Sequence, residues 1–117
     1  MATWCIEVAS APDSGASIVL TTLGAGVDAG AFARTLVAER LAACVNILPV
    51  MTSVYRWQGH IEQELEQQLL IKTASDRLPA LEQRLRELHP YEVPEFVVLG
   101  AGEFGAAYLA WVQESVN

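Results

Sequence analysis

Two long β-type runs of apolar and polar residues dominate the middle of this chain of 117 residues. They run over Val45–Trp57 and Ile61–Thr73 and meet at Gln58-Gly59, where the glycine supplies the positive φ that a tight hairpin needs. Each stretch would extend about 43 Å at about 3.3 Å per residue, well beyond the usual strand of about 5–6 residues. A domain of this size cannot cover such a hairpin alone, so the pattern predicts a partner chain for the overhang.

The residues within the hairpin leave its register open. Both a two-residue loop and a three-residue loop with a glycine bulge suit Gln58-Gly59, and the choice decides which side chains share a face. Pro49 has no amide donor, so the first strand is predicted to bulge or bend there, or to lie at an edge.

Past the turn, the segment Glu62–Glu66 is polar enough to face solvent. Its three glutamates, Glu62, Glu64 and Glu66, alternate along a strand and therefore share one face. That face could concentrate negative charge for a hard cation, or it could be a solvated surface that prevents edge-to-edge aggregation.

The elements around the hairpin complete one α+β domain. Before the hairpin, the pattern predicts a strand over Ser17–Leu23 and a helix from an Asp28 cap to about Ala43. After the hairpin it predicts a helix that is capped by Ser75 or Asp76, has Pro79 in its first turn and stops at Pro90. A strand over Glu95–Leu99 and a closing helix over about Gly105–Val116 complete the chain. The order β-α-β-β-α-β is that of a ferredoxin-like, split β-α-β subunit with both main helices on one sheet face. Residues 1–16 are predicted to form a loosely ordered arm and residues 17–117 a single domain.

Composition supports an oligomer and narrows the partners. Hydrophobic residues make up 52% of the chain and charged residues 18%, and a subunit interface is the simplest place for the excess apolar surface. The net charge of −7 would repel nucleic acid and anionic membranes but not a cation. Cys5 and Cys44 form no disulfide framework, and no apolar segment approaches a membrane span, so we expect a soluble cytoplasmic protein.

Two side chains are candidate metal ligands. His89 stands between the second helix and the HPYEVP turn, and as a neutral imidazole it could bind copper, zinc or nickel. A histidine at a helix end can equally hydrogen-bond to neighbouring carbonyl groups. Cys44 lies where the first helix passes into the hairpin, and it is either a ligand or a small buried apolar residue.

A cleft between subunits is the second candidate site. Lys72, the single lysine, lies in an apolar strand and needs an anionic partner, either a bound anion or a carboxylate such as Glu92. Tyr55, Trp57 and Tyr91 have polar tips that suit half-buried positions, so they could line a ligand pocket or anchor an interface. The predicted cleft residues are therefore Trp57, Lys72, Tyr91, Glu92 and Tyr55.

Five blocks of this sequence closely resemble the CutA family of divalent-cation tolerance proteins. The blocks are LVAERLAACVNILP (36–49), TSVYRWQGHIE (52–62), LLIKT (69–73), LHPYEVPE (88–95) and YLAWVQES (108–115). The resemblance implies a ferredoxin-like subunit in a homotrimer similar to PII signalling proteins, and a link with tolerance to copper and other divalent cations. Some members carry a cysteine and a histidine pair proposed as copper ligands; the matching positions here are Thr21, Leu88 and His89, so one of three potential ligands is present.

Two function hypotheses follow. The first is a metal-response protein that binds Cu²⁺ or another divalent cation with low specificity, with His89 and then Cys44 as ligands. The alternative is a PII-like regulatory or scaffold trimer that binds a small molecule or protein partner at intersubunit clefts. An enzyme is not expected, because the sequence shows no nucleophile–base pair, phosphate loop or organic cofactor fingerprint.

Overall fold

Five strands and three α-helices make up residues 15–99 and 102–117, the part of the chain that the computed structural model describes. The elements are β1 (Ala16–Gly24), α1 (Ala29–Ala38), β2 (Cys44–Ile47), β3 (Met51–Trp57), β4 (His60–Ala74), a 3₁₀ turn (Ser75–Arg77), α2 (Leu78–Leu88), β5 (Val97–Leu99) and α3 (Ala106–Ser115). The predicted N-terminal arm lies outside the described residues except at its end. Within the described ranges, no helix is both long and apolar enough to cross a bilayer.

The strands form one antiparallel sheet in the order β2-β4-β1-β5, and β3 also pairs with β4. The long strand β4 is therefore the spine of the sheet, with β1 on one side and β2 followed by β3 on the other. This topology confirms the predicted ferredoxin-like arrangement. The ladder between β4 and β1 ends where Glu66 pairs with Gly24. Residues 60–65 of β4 therefore have strand partners only in β3, and the two strands project as a ribbon.

Both main helices cover one face of the sheet. Residues of α1 and α2 pack with β1 and β4 in one buried cluster, to which they contribute Phe32, Leu36, Leu81 and Leu85. The leucines of α2 form its buried face: Leu81 and Leu85 are fully buried, and the partly buried Leu78 and Leu88 pack against the same cluster. Asp28 caps α1 as predicted, since its Oδ1 accepts a hydrogen bond of 3.0 Å from the Ala31 amide.

The opposite sheet face is divided between a helix and a cleft. At one end, Val112 of α3 and Val116, the residue after the helix, are buried against Ala16 and Ala74 of the paired strands. At the other end none of the described helices covers the sheet, and the hairpin β3–β4 lies beside the segment that follows α2. The face opposite the two main helices is thus covered in part by the last helix.

The hairpin turn resolves the register that the sequence left open. Gln58 and Gly59 both have positive φ, 50° and 82°, and Trp57 pairs directly with His60. The loop therefore has two residues, in the form that matches the twist of the flanking strands. The predicted bulge at Pro49 is also present: residues 48–50 lie opposite only Gln67 and Gln68, because Ile47 pairs with Leu69 and Met51 with Glu66.

Two predicted helix boundaries were wrong. Helix α1 ends at Ala38 rather than near Ala43, because Arg40 adopts φ 60° and the amides of Arg40 and Leu41 bond back to Val37 and Leu36. This is a Schellman end with arginine at the position that glycine usually takes. The second helix begins with a 3₁₀ turn that has no side-chain cap, so neither Ser75 nor Asp76 caps it as predicted.

Candidate functional site

The uncovered end of the sheet holds a cleft of about 730 Å³. One wall is the hairpin, which contributes Met51, Ser53, Tyr55 and Trp57 from β3 together with Glu66 and Gln68 from β4. The other wall is the segment 90–95, which runs from the end of α2 toward β5. A cleft of this volume is in the range of small-molecule sites in proteins.

Strand geometry explains why these hairpin side chains meet in the cleft. Residues directly opposite in an antiparallel pair share a face, and alternate residues on a strand share it too. Tyr55 therefore stands beside Glu62, Ser53 beside Glu64 and Met51 beside Glu66, all on the same side of the hairpin. The two-residue turn is what puts the aromatic residues and the glutamates on one face.

His89 anchors the second wall. Its amide donates to Leu85 O at 2.8 Å and ends α2, after which its backbone is extended. The Tyr91 amide donates to Nδ1 at 3.1 Å, which leaves Nε2 to carry the proton and donate to Thr22 O at 2.7 Å. Both ring nitrogens are thus engaged in a buried ring that packs edge-on against Phe32, and a metal ion could bind only by displacing one of these hydrogen bonds.

Tyr91 joins the two walls through its hydroxyl group. It donates a hydrogen bond of 2.7 Å to Oε2 of Glu66, and its ring lies 4.8 Å from the His89 ring. Burial and this hydrogen bond raise the pKa of Tyr91 well above its ordinary value, because both favour the neutral phenol. The series of hydrogen bonds that links Thr22, His89, Tyr91 and Glu66 therefore holds the two walls of the cleft together.

The prediction that the whole Glu62–Glu66 segment faces solvent was wrong for Glu66. Only 6% of Glu66 is exposed, because the segment after α2 lies over it. Tyr55 lies on this face, and its pKa is raised. Burial is the largest cause, followed by the negative charges of Glu64, Glu66 and Glu62. The negative charge that the sequence indicated is therefore present, but one of its three carboxylates belongs to the cleft wall.

Four of the five predicted cleft residues, Tyr55, Trp57, Tyr91 and Glu92, line this one cleft. Lys72 lies elsewhere: its Nζ is 5.8 Å from the centre of the Tyr108 ring of α3. Among the described residues Lys72 forms no ion pair with Glu92, so that predicted pairing is not made within the chain. The sequence reasoning missed Gln68 and Glu95, which hydrogen-bond to each other across the cleft at 2.8 Å.

The two candidate metal ligands, Cys44 and His89, lie far apart in the folded structure. Cys44 pairs with Lys72 and so lies level with Ile18 of β1, whereas His89 binds the carbonyl of Thr22. Four residues along a strand correspond to about 13 Å. No group of three or more His, Cys, Asp or Glu side chains that could hold a metal ion occurs in the described parts of the chain.

Thr21 is fully buried on the helix-covered face, and its Oγ1 has no hydrogen-bond partner among the described residues. An unpaired buried hydroxyl destabilises a protein, so Thr21→Val is expected to raise the free energy of unfolding by about 1 kcal/mol. Urea titration at a fixed protein concentration would show a higher midpoint with an unchanged slope. Thr73→Val is the matched control and should be destabilising, because the Thr73 hydroxyl donates to Leu41 O at 2.8 Å. A lower midpoint for Thr21→Val would contradict this account.

Sequence comparison with known proteins matches this chain to one protein family. The family model described as "CutA1 divalent ion tolerance protein" matches residues 17–115. The divalent-cation tolerance protein CutA of Thermus thermophilus is 47% identical over 100 residues, which are 86% of this chain and 97% of that protein. Human protein CutA is 46% identical over 82 residues, 70% of this chain and 46% of that protein, so the match spans about half of the human relative.

Solved structures give the same result. The Thermus thermophilus protein superposes with a TM-score of 0.81 at 46% identity, covering 86% of this chain and 97% of that one. A Nostoc structure, described as a PII-like protein CutA in apo form, superposes with a TM-score of 0.80 at 36% identity, covering 86% of this chain and 97% of that one.

Proposed function

Because the chain belongs to the CutA1 divalent ion tolerance family, we propose that it acts in divalent-cation tolerance as a PII-like homotrimer that binds a small ligand without catalysis. The ligand site is the cleft between the hairpin β3–β4 and the segment 90–95. The observation that carries this proposal is that Tyr55, Trp57, Tyr91 and Glu92 line one cleft whose walls are joined by partly buried hydrogen bonds. A preformed concave site with a few polar groups is the usual form of a small-molecule site.

The projecting ribbon supports the trimer. Val54, Ile61 and Leu65 lie on its face away from the cleft, and each is 59–72% exposed. A two-stranded hairpin with such apolar exposure is marginal in water on its own, and burial against copies of the same chain would stabilise it. Tyr108 and Trp111 of α3 are also exposed and add to the apolar surface that a neighbouring subunit would cover.

The test of the ligand site is a variant that fills it. Ser53 lines the cleft wall, so Ser53→Trp should block the cleft, whereas Ala80→Trp on the exposed side of α2 should not. Thermal unfolding would be measured with panels of cationic, anionic and neutral metabolites. We expect at least one panel to raise the melting temperature of the wild type and of Ala80→Trp but not of Ser53→Trp. If no compound distinguishes Ser53→Trp from the other two proteins, the cleft is not the functional site.

The second candidate function is direct, low-specificity binding of copper or another divalent cation at His89 or Cys44. The divalent-cation tolerance name of the Thermus relative favours it, as does the free Cys44 thiol, whose hydrogen bond to Asn46 Oδ1 is long at 3.9 Å. Free thiols and imidazoles are the ligands that such ions prefer.

Calorimetric titration with Cu²⁺ and Zn²⁺ separates the two candidates. We expect Cys44→Ser and His89→Gln to bind each ion as the wild type does, because the chain does not bring these side chains together. A loss of about tenfold or more in affinity in either variant would locate a metal site at that residue and favour the second candidate. Circular dichroism of His89→Gln controls for unfolding, since its ring is buried.

A further inference from the structure

The charged side chains that line the cleft are all acidic. Three carboxylates, Glu66, Glu92 and Glu95, are among its thirteen lining residues, and none of those residues is a lysine, arginine or histidine. Protein donors satisfy part of this charge: Tyr91 donates to Glu66, and the Gln68 amide donates to Glu95. Neither donor is a cation, and Glu92 is exposed with no ion pair among the described residues. Within one chain, a net negative charge therefore remains for a ligand to neutralise.

Aromatic rings line the same space. Tyr55 and Trp57 alternate on the hairpin wall and are 40% and 41% exposed, and Tyr91 stands on the opposite wall. The negative faces of aromatic rings attract organic cations, most strongly where carboxylates lie nearby. The raised pKa of Tyr55, caused by burial and by the neighbouring glutamates, is consistent with a negative potential on this face.

We propose that the cleft binds a compact organic cation, an alkylammonium group held between the aromatic rings and the carboxylates. This inference rests on the proposed function, because it names the ligand class of the same cleft. An organic cation fits better than a bare divalent ion: the described residues contain no metal-binding cluster, and a metal ion would gain little from the three rings. The volume of about 730 Å³ leaves room for the alkyl substituents of such a group.

Choline chloride and 3,3-dimethyl-1-butanol, its uncharged isostere, test the ligand class by calorimetry on the full chain at low ionic strength. We expect choline to bind at least about tenfold more tightly than the isostere, since only choline carries the charge. Trp57→Leu should weaken choline binding by about tenfold. Glu92→Gln should weaken it by about threefold or more. Glu103→Gln removes the same charge from an exposed position outside the cleft and should leave binding unchanged.

The outcomes separate this inference from the proposal on which it rests. Equal binding of choline and its isostere, or equal effects of Glu92→Gln and Glu103→Gln, would overturn the cationic ligand class. Tighter binding of benzoate than of choline, abolished in Ser53→Trp, would also overturn it but would leave the cleft as the functional site. If none of these probes binds and no metabolite panel distinguishes Ser53→Trp from the wild type, both proposals fail.

Discussion

The double variant Ile61→Asp/Leu65→Asp is expected to sediment as a single chain of 12.7 kDa, and the wild type is expected to sediment as a trimer. The two side chains are 72% and 59% exposed on the projecting ribbon. In the proposed homotrimer they are buried against neighbouring subunits, where two unpaired carboxylates per chain could not be accommodated. Sedimentation equilibrium at micromolar concentration measures the mass directly.

The matched control is Ala80→Asp/Gln83→Asp, which adds the same charge to the exposed side of α2. This control should remain trimeric, because net charge alone does not decide the interface. A wild-type protein that sediments as a folded single chain would overturn the trimer. So would a double variant of the ribbon that keeps the wild-type mass.

Tyr91→Phe is expected to lower the free energy of unfolding by about 1–3 kcal/mol at neutral pH, because it leaves the buried Glu66 carboxylate without its donor. Urea titration of both proteins at the same concentration measures the difference. Tyr108→Phe is the control: the Tyr108 side chain is 40% exposed, and its loss of a hydroxyl should change stability by less than about 0.5 kcal/mol. Equal effects of the two variants would show that the Tyr91–Glu66 bond does not stabilise the cleft.

Alkaline pH gives an independent reading of the same bond. Folding raises the pKa of Tyr91, so the folded state holds the phenol proton more tightly than the unfolded state does. The resulting stabilisation is complete below the ordinary tyrosine pKa of about 10 and is lost as the pH rises above it. The stability difference between the wild type and Tyr91→Phe should therefore shrink above about pH 10. A difference that stays constant across this range would contradict a raised pKa for Tyr91.

The sequence predicted the fold well because its strongest signals are local. The glycine of Gln58-Gly59, the missing amide of Pro49 and the leucine spacing of α2 each constrain the backbone within a few residues. The end of α1 was missed for the same reason, since Arg40 occupies a left-handed position that glycine normally marks. There, burial of the following residues, Leu41, Ala42 and Ala43, outweighs the local preference.

The site was only partly predictable, because the cleft depends on contacts between distant segments. Tyr55, Trp57, Tyr91 and Glu92 line one cleft within a single chain, whereas the sequence analysis placed them in a cleft between subunits. Lys72 was grouped with them because it needs a partner, but the strand register carries it toward α3 instead. The burial of Glu66 follows from a segment some 25 positions further along the chain, and no pattern near Glu66 indicates it.

The extra residue opposite Gln67 and Gln68 changes which residue numbers face the cleft, while the pairing with β4 decides the face itself. Before it, even-numbered residues such as Cys44 and Asn46 point to the side of Lys72; after it, odd-numbered residues such as Tyr55 and Trp57 do. Deleting one residue among 48–50 would leave two residues opposite Gln67 and Gln68, so Tyr55 and Trp57 would keep the face that their pairs with Glu62 and His60 give them. A one-residue slip in the pairing of β3 with β4 would instead present Val54 and Arg56 to the ligand. Relatives that differ in length before β3 should therefore bind the same class of ligand, whereas relatives with a different hairpin register should not.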